Sequence, residues 1–127
     1  MYALNNAPNA PAPVGMYSQA IDAGSLVFLS GQIGISPSGG GLVSPDVEGQ
    51  TKQILENIAA VLKYAGSHWD KVVMTTIFLA DIKDGATVNE LYSGAVNRNA
   101  PPARQTVAVK DLPMGAKVEI SVIALKG

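Results

Sequence analysis

One carboxylate interrupts an otherwise apolar, alternating run late in the chain. In Lys117-Val118-Glu119-Ile120-Ser121-Val122-Ile123-Ala124, the residues Val118, Ile120, Val122 and Ala124 recur with period two, as in a strand with one buried face. Glu119 then stands on the other face, beside Ser121 and Ile123. Upstream, Ala103-Arg104-Gln105-Thr106-Val107-Ala108-Val109 reads as a second strand in which Arg104 shares a face with Thr106 and Ala108. A carboxylate and a guanidinium in such strands are costly to bury unpaired, so each must meet a partner, a water or a ligand. The turn Leu112-Pro113-Met114-Gly115 lies between the two runs, and adjacency alone predicts that they form a hairpin.

The rest of the chain supplies a scaffold. Pro8, Pro11 and Pro13 disfavour a central strand or helix over residues 1–16, which reads as an extended surface arm. Tyr17–Ile21 and Leu26–Ser30 flank Asp22-Ala23-Gly24-Ser25 and predict a hairpin, its second strand apolar on both faces and so inside the sheet. Residues 31–41 are loop chemistry. Ser44, followed by Pro45, is the expected cap of a helix whose stripe is Val47, Thr51, Ile54, Ile58, Val61 and Ala65, widened by Leu55 and Leu62 and ended by Gly66. His68 and Trp69 follow in a polar turn and read as surface or rim residues. Val72–Leu79 is β-branched and aromatic, hence a strand. Asp84 is the expected cap of a second helix with the stripe Val88, Leu91, Tyr92, Ala95 and Val96, closed by residues 99–102. The order strand, strand, helix, strand, helix, strand, strand predicts a single α+β domain over residues 1–127, with two helices on one face of a sheet. The uncovered face also carries apolar residues and is expected to be buried against other subunits.

Composition narrows the chemistry. The 127 residues carry no cysteine, which excludes disulfides, thiolate nucleophiles and cysteine-ligated metals, and one histidine, so a Ser-His-Asp triad or a zinc site would rest on His68 alone. No metal or other cofactor is expected. The net charge is -1 without a basic stripe, which makes nucleic acid a weak candidate partner. Charged residues make up 15%, low for a free monomer and consistent with an oligomer. No apolar stretch reaches 18 residues and no signal-like segment opens the chain, so a soluble, cytoplasmic protein is expected.

Several stretches together carry a resemblance. Pro101-Pro102-Ala103-Arg104, Leu112-Pro113, Val118-Glu119-Ile120 and Ile123-Ala124 are joined by residues 12–20 (Ala-Pro-Val-Gly-Met-Tyr-Ser-Gln-Ala) and Ser30-Gly31-Gln32-Ile33. Gln50-Thr51, Glu56-Asn57-Ile58 and Val88-Asn89-Glu90-Leu91-Tyr92 complete the set. In order and spacing these resemble the RidA (YjgF) family of reactive-intermediate deaminases, also labelled L-PSP endoribonucleases or translation inhibitors. The resemblance implies a chorismate-mutase-like mixed sheet with two helices on one face. It also implies a homotrimer with clefts between subunits, and a last strand inside the sheet rather than in a hairpin. The implied activity is hydrolysis of enamines and imines such as 2-aminoacrylate to a 2-keto acid and ammonia. The alternatives are a non-catalytic binder of small 2-keto or amino carboxylates and an endoribonuclease.

Carried onto this sequence, the resemblance gives Arg104 the substrate carboxylate, for which a guanidinium fork is suited. It gives Glu119 the attacking water. Tyr17, Ser30 and Asn89 supply hydrogen bonds, the Gly31 backbone approaches closely, and Thr106 stands by the substrate with a hydroxyl and a backbone N–H. From the residues alone, a structural Arg104–Glu119 ion pair is the competing account. Thr106 replaces a frequent cysteine, so no thiol takes part. Met74 replaces a common lysine, Met16 a usual proline, and Gly85 and Val96 frequent aromatics; these departures bear on substrate preference.

Overall fold

The computed structural model describes residues 1–127. Six strands form one mixed sheet: β1 (Tyr2–Leu4), β2 (Ala20–Asp22), β3 (Leu26–Leu29), β4 (Val72–Leu79), β5 (Ala103–Ala108) and β6 (Val118–Leu125). Helices α1 (Val47–Tyr64) and α2 (Gly85–Ser93) complete the fold. The sheet order is β1-β2-β3-β6-β4-β5, antiparallel throughout except for the parallel pair β4 and β5.

This order replaces the hairpin expected of the last two strands. A parallel pair needs a crossover, and α2 supplies it between β4 and β5. β6 then enters the gap between β3 and β4, where Val118, Ile120, Val122 and Ala124 are all buried. The short turn before β6 made a hairpin the local solution. The apolar face of β6 is better satisfied in the middle of the sheet, where it is covered along its whole length.

Both helices cover that face. Ile54, Ile58, Val61 and Leu62 of α1 and Val88 and Tyr92 of α2 are buried with Val27, Leu29, Ile77, Leu79, Val118, Ile120 and Val122 in one cluster. Each fully buried aliphatic side chain contributes on the order of 1.5–3 kcal/mol. The opposite sheet face has no helix. It carries Ile21, Phe28, Met74, Phe78, Val107 and Ile123, with Phe28 41% and Val107 46% exposed.

The termini of elements depart locally from expectation. Asp46, not Ser44, caps α1: its Oδ1 accepts from the Gly49 N–H at 2.7 Å, while Ser44 Oγ donates to Asp46 Oδ2 at 2.8 Å. Asp84 occupies the N-cap position of α2 but makes no capping bond, and Asp81 instead caps the short turn before it. Ala95 and Val96 lie beyond the end of α2. The N-terminal arm is not a free tail. Its first residues pair with β2, and buried Gln19 binds it at three points. Gln19 Oε1 accepts from Ala7 N–H, its Nε2 donates to the Pro11 carbonyl, and its own N–H donates to Asn5 Oδ1. Trp69 is buried rather than at the rim. Its Nε1 donates to the Leu55 carbonyl at 3.3 Å, and its ring meets Tyr92 edge-on at 6.1 Å.

Candidate active site

The residues singled out from the sequence fall into two groups on opposite faces of the sheet. Arg104 pairs in register with Thr75 of β4, and its guanidinium lies 5.3 Å from the centroid of the Tyr92 ring, on the helix side. Glu119 pairs with Phe78 on the open side. Two strand spacings and three residues of offset separate the two backbones by roughly 14 Å. The ion pair weighed from the sequence does not form within one chain; Glu119 has no cationic partner among the salt bridges.

Around Arg104 the geometry fixes a fork. Its Nη1 donates to Asn89 Oδ1 at 2.6 Å, and Tyr92 follows Asn89 by three residues on α2, so both reach the same guanidinium. Such a ring face attracts a cation. Burial raises the Tyr92 hydroxyl above its ordinary value, so it stays protonated and donates to Thr75 Oγ1 at 2.8 Å. Arg104 is thus held from one side with its remaining N–H groups free of protein partners. Thr106 lies two residues further along β5, its Oγ1 buried with no hydrogen-bond partner.

Around Glu119 the geometry makes a recess of about 340 Å³, walled by Val14, Ile33, Ile35, Pro113 and Met114 and holding Tyr17, Ser30 and Gly31. The reciprocal bonds between Gln32 and Ile120, at 2.8 and 3.1 Å, clamp the loop after β3 onto β6. Gly31 is drawn so close that a Cβ there would sit 2.5 Å from Glu119 Oε2. Any side chain at this position would displace the carboxylate. Burial pushes the Glu119 carboxyl above its ordinary value, with no countervailing charge or hydrogen bond. Ser30 Oγ donates to the Ser18 carbonyl at 2.6 Å, which leaves its lone pairs to accept. Tyr17 Oη accepts from Val14 N–H at 3.3 Å, which leaves its own proton to donate.

Of the predicted residues, Tyr17, Ser30, Gly31 and Glu119 come together in one group and Asn89, Arg104 and Thr106 in the other. Tyr92, read from the sequence only as part of an apolar stripe, is a further member of the second. Its spacing from Asn89 was the available signal. No three acidic or histidine side chains converge as a metal site would require.

A mixed sheet covered on one face, with an arginine fork and a desolvated carboxylate held apart on one chain, defines a class of small α+β proteins. The family model described as endoribonuclease L-PSP matches residues 7–126, and the chain belongs to that family. It is 53% identical over 116 residues to Reactive Intermediate Deaminase A, chloroplastic, of Arabidopsis thaliana, covering 91% of this chain and 61% of that protein's length. To 2-iminobutanoate/2-iminopropanoate deaminase of Homo sapiens it is 45% identical over 118 residues, covering 93% and 85%. Among solved structures, a protein of the conserved Rid family from Yersinia pestis matches with a TM-score of 0.92 at 47% identity, covering 97% of this chain and 98% of that one. E. coli TdcF with bound serine matches with a TM-score of 0.89 at 34% identity, covering 99% and 100%.

Proposed function

We propose that this protein hydrolyses 2-imino and 2-enamino acids to 2-keto acids and ammonia, without a cofactor, as a cytoplasmic homotrimer. Glu119, desolvated, backed by Gly31 and without a cationic partner on its own chain, is the observation that carries this reading. A small acid cannot span roughly 14 Å between opposite sheet faces. The site is therefore completed between two copies, the Arg104 group of one facing the Glu119 group of the next. The open apolar sheet face supplies the surface on which the copies meet. The names of the deaminase relatives and the serine held by E. coli TdcF support a small amino-acid-like carboxylate as the ligand.

The residues divide the reaction as follows. Arg104, aimed by Asn89 and Tyr92, binds the substrate carboxylate through two parallel charge-assisted bonds. Thr106 lies beside it. An enamine first becomes an iminium by taking a proton from solvent at C3, its C=C π electrons forming the new C–H bond as the nitrogen lone pair forms C=N. Ser30 Oγ accepts from the iminium N–H, and Tyr17 Oη donates to the water. Glu119 takes a proton from that water as its oxygen bonds to C2, and the C=N π electrons move to nitrogen. Glu119 then returns the proton to the nitrogen. The C–N bond breaks and ammonia leaves as the new hydroxyl gives its proton to Glu119, which releases it to solvent, and C2 becomes the ketone carbon.

The test is to generate 2-aminoacrylate with a serine dehydratase and follow pyruvate. Release is expected to exceed the spontaneous rate, and no acceleration overturns the reading. Single-turnover reaction with excess enzyme, alongside calorimetry with 2-ketobutyrate, separates an enzyme from a protein that only binds such carboxylates.

A further inference from the structure

A second cavity, of about 220 Å³, opens beside Arg104 on the helix side of the sheet. Its walls are aliphatic, from Ile77 of β4, Val88 of α2 and Ile82 of the turn before α2. Arg104 and Thr106 line it from β5, and the unpaired Thr106 hydroxyl is the single buried side-chain polar atom in the protein that lacks a hydrogen bond. Asn89, which holds Arg104, and Gly85, the first residue of α2, complete the lining.

Nothing in the backbone calls for glycine there. Gly85 has ordinary right-handed helical angles, φ -57° and ψ -37°, which any residue adopts. A Cβ would meet only Leu79 Cδ1, at 3.6 Å, an ordinary contact. Glycine is also a poorer helix former than alanine. What Gly85 supplies is room: a side chain longer than alanine's would extend into the cavity beside the guanidinium.

We infer that this cavity receives the substrate's own side chain, and that the protein prefers 2-imino acids with an aliphatic chain of about three to four carbons, since ~150 Å³ of aliphatic cavity suffices for benzene. The inference rests on the deaminase reading above. With the carboxylate on Arg104 and C2 turned toward the partner copy's carboxylate, the chain from C3 onward runs into the aliphatic walls. Each CH2 buried there adds about fourfold to affinity. Gly85 is the specificity-determining position.

Calorimetry with pyruvate and with 4-methyl-2-oxopentanoate tests this on the native protein, Gly85→Ala and Gly85→Leu. The native protein is expected to bind the longer acid at least ~10-fold more tightly than pyruvate. Gly85→Ala should retain most of that ratio, and Gly85→Leu should lower it at least ~10-fold. Equal affinity for the two acids, or a loss in Gly85→Leu that is the same for both, overturns the inference. Turnover of imines made in situ from alanine and leucine by an amino-acid oxidase is measured alongside. A size preference in binding with no turnover of either imine overturns the deaminase reading and leaves the cavity's role standing. Turnover without a size preference does the reverse.

Discussion

At the scale of single residues, Arg104 and Glu119 should separate when changed one at a time. Arg104→Ala loses two charge-assisted bonds of roughly 1.5–3 kcal/mol each, so deaminase efficiency should fall by at least ~100-fold, and 2-ketobutyrate binding with it. Glu119→Gln should keep binding within roughly tenfold while turnover falls ~100-fold or more. A buried ion pair would instead cost roughly 3–5 kcal/mol of stability in either variant, a loss that thermal melts would reveal. The pH dependence has a definite sign. The folded carboxyl of Glu119 lies above its ordinary 4.5, so between that value and the raised one the folded state binds more protons than the unfolded state. Its contribution to stability is whole below 4.5 and is lost as pH rises through the folded value. Glu119→Gln should therefore be more stable than the native protein at neutral pH, and the gain should vanish below pH 4.5 in denaturation curves. Thr106 offers a second separation of stability from function. Burying an unpaired hydroxyl costs about 1–3 kcal/mol. Thr106→Val should thus raise the midpoint of urea unfolding of the ligand-free protein while weakening 2-ketobutyrate binding several-fold. A variant neither more stable nor weaker in binding would show that the hydroxyl serves neither purpose.

At the scale of elements, α2 is both the crossover that makes β4 and β5 parallel and the mount for the arginine fork. Its Tyr92 is wedged between Trp69 and Arg104 and tied to Thr75. Tyr92→Phe keeps the ring under the guanidinium and should leave carboxylate affinity within about twofold, whereas Tyr92→Leu should weaken it by roughly 3- to 30-fold, the range of a partly desolvated cation–π contact. Titrations of both variants in the Arg104→Ala background check the cause. If Tyr92 acts by aiming Arg104, the leucine substitution adds nothing there. The elements also show what a sequence reveals and what it withholds. The stripe Thr51, Ile54, Ile58, Val61 and the alternation of Val118, Ile120 and Val122 announced their helix and strand, because burial imposes those periods directly. The partners of those strands were not legible from periodicity. A tight turn before β6 favours a hairpin locally, and only the burial of the whole β6 face decides for the middle of the sheet. The family resemblance had placed that strand correctly. The same limit applies to the site. Glu119 and Arg104 stood out as charges in apolar strands, but that they face opposite ways follows from register, which no local pattern records. Trp69 reads as a rim residue because a polar turn surrounds it in sequence, while its ring reaches back to Leu55 and Tyr92.

At the scale of the whole molecule, the proposed site shared between copies would make inactive variants complement one another. Arg104→Ala and Glu119→Gln chains, mixed under conditions that exchange subunits, should recover activity up to about a quarter of the native level, since a site is intact only where both contributing chains carry the native residue. Sedimentation equilibrium should give three times the chain mass. A monomer mass, or mixtures as inactive as either parent, would remove the shared site. The position of β6 has a consequence for how the molecule comes into being. The strand that joins the β1-β2-β3 half of the sheet to the β4-β5 half is the last of the six to be made. Until Val118 and its successors emerge, the two halves have no common strand, and α1 and α2 have only the edges of a split core to rest on. At about 5–20 residues per second, synthesis leaves these apolar halves waiting for several seconds. Folding is therefore gated by the emergence of β6 rather than progressing with synthesis of the strands before it. Nascent chains arrested before residue 118 should be degraded by added protease at the rate of an unfolded control, and chains arrested with β6 outside the ribosome should resist it.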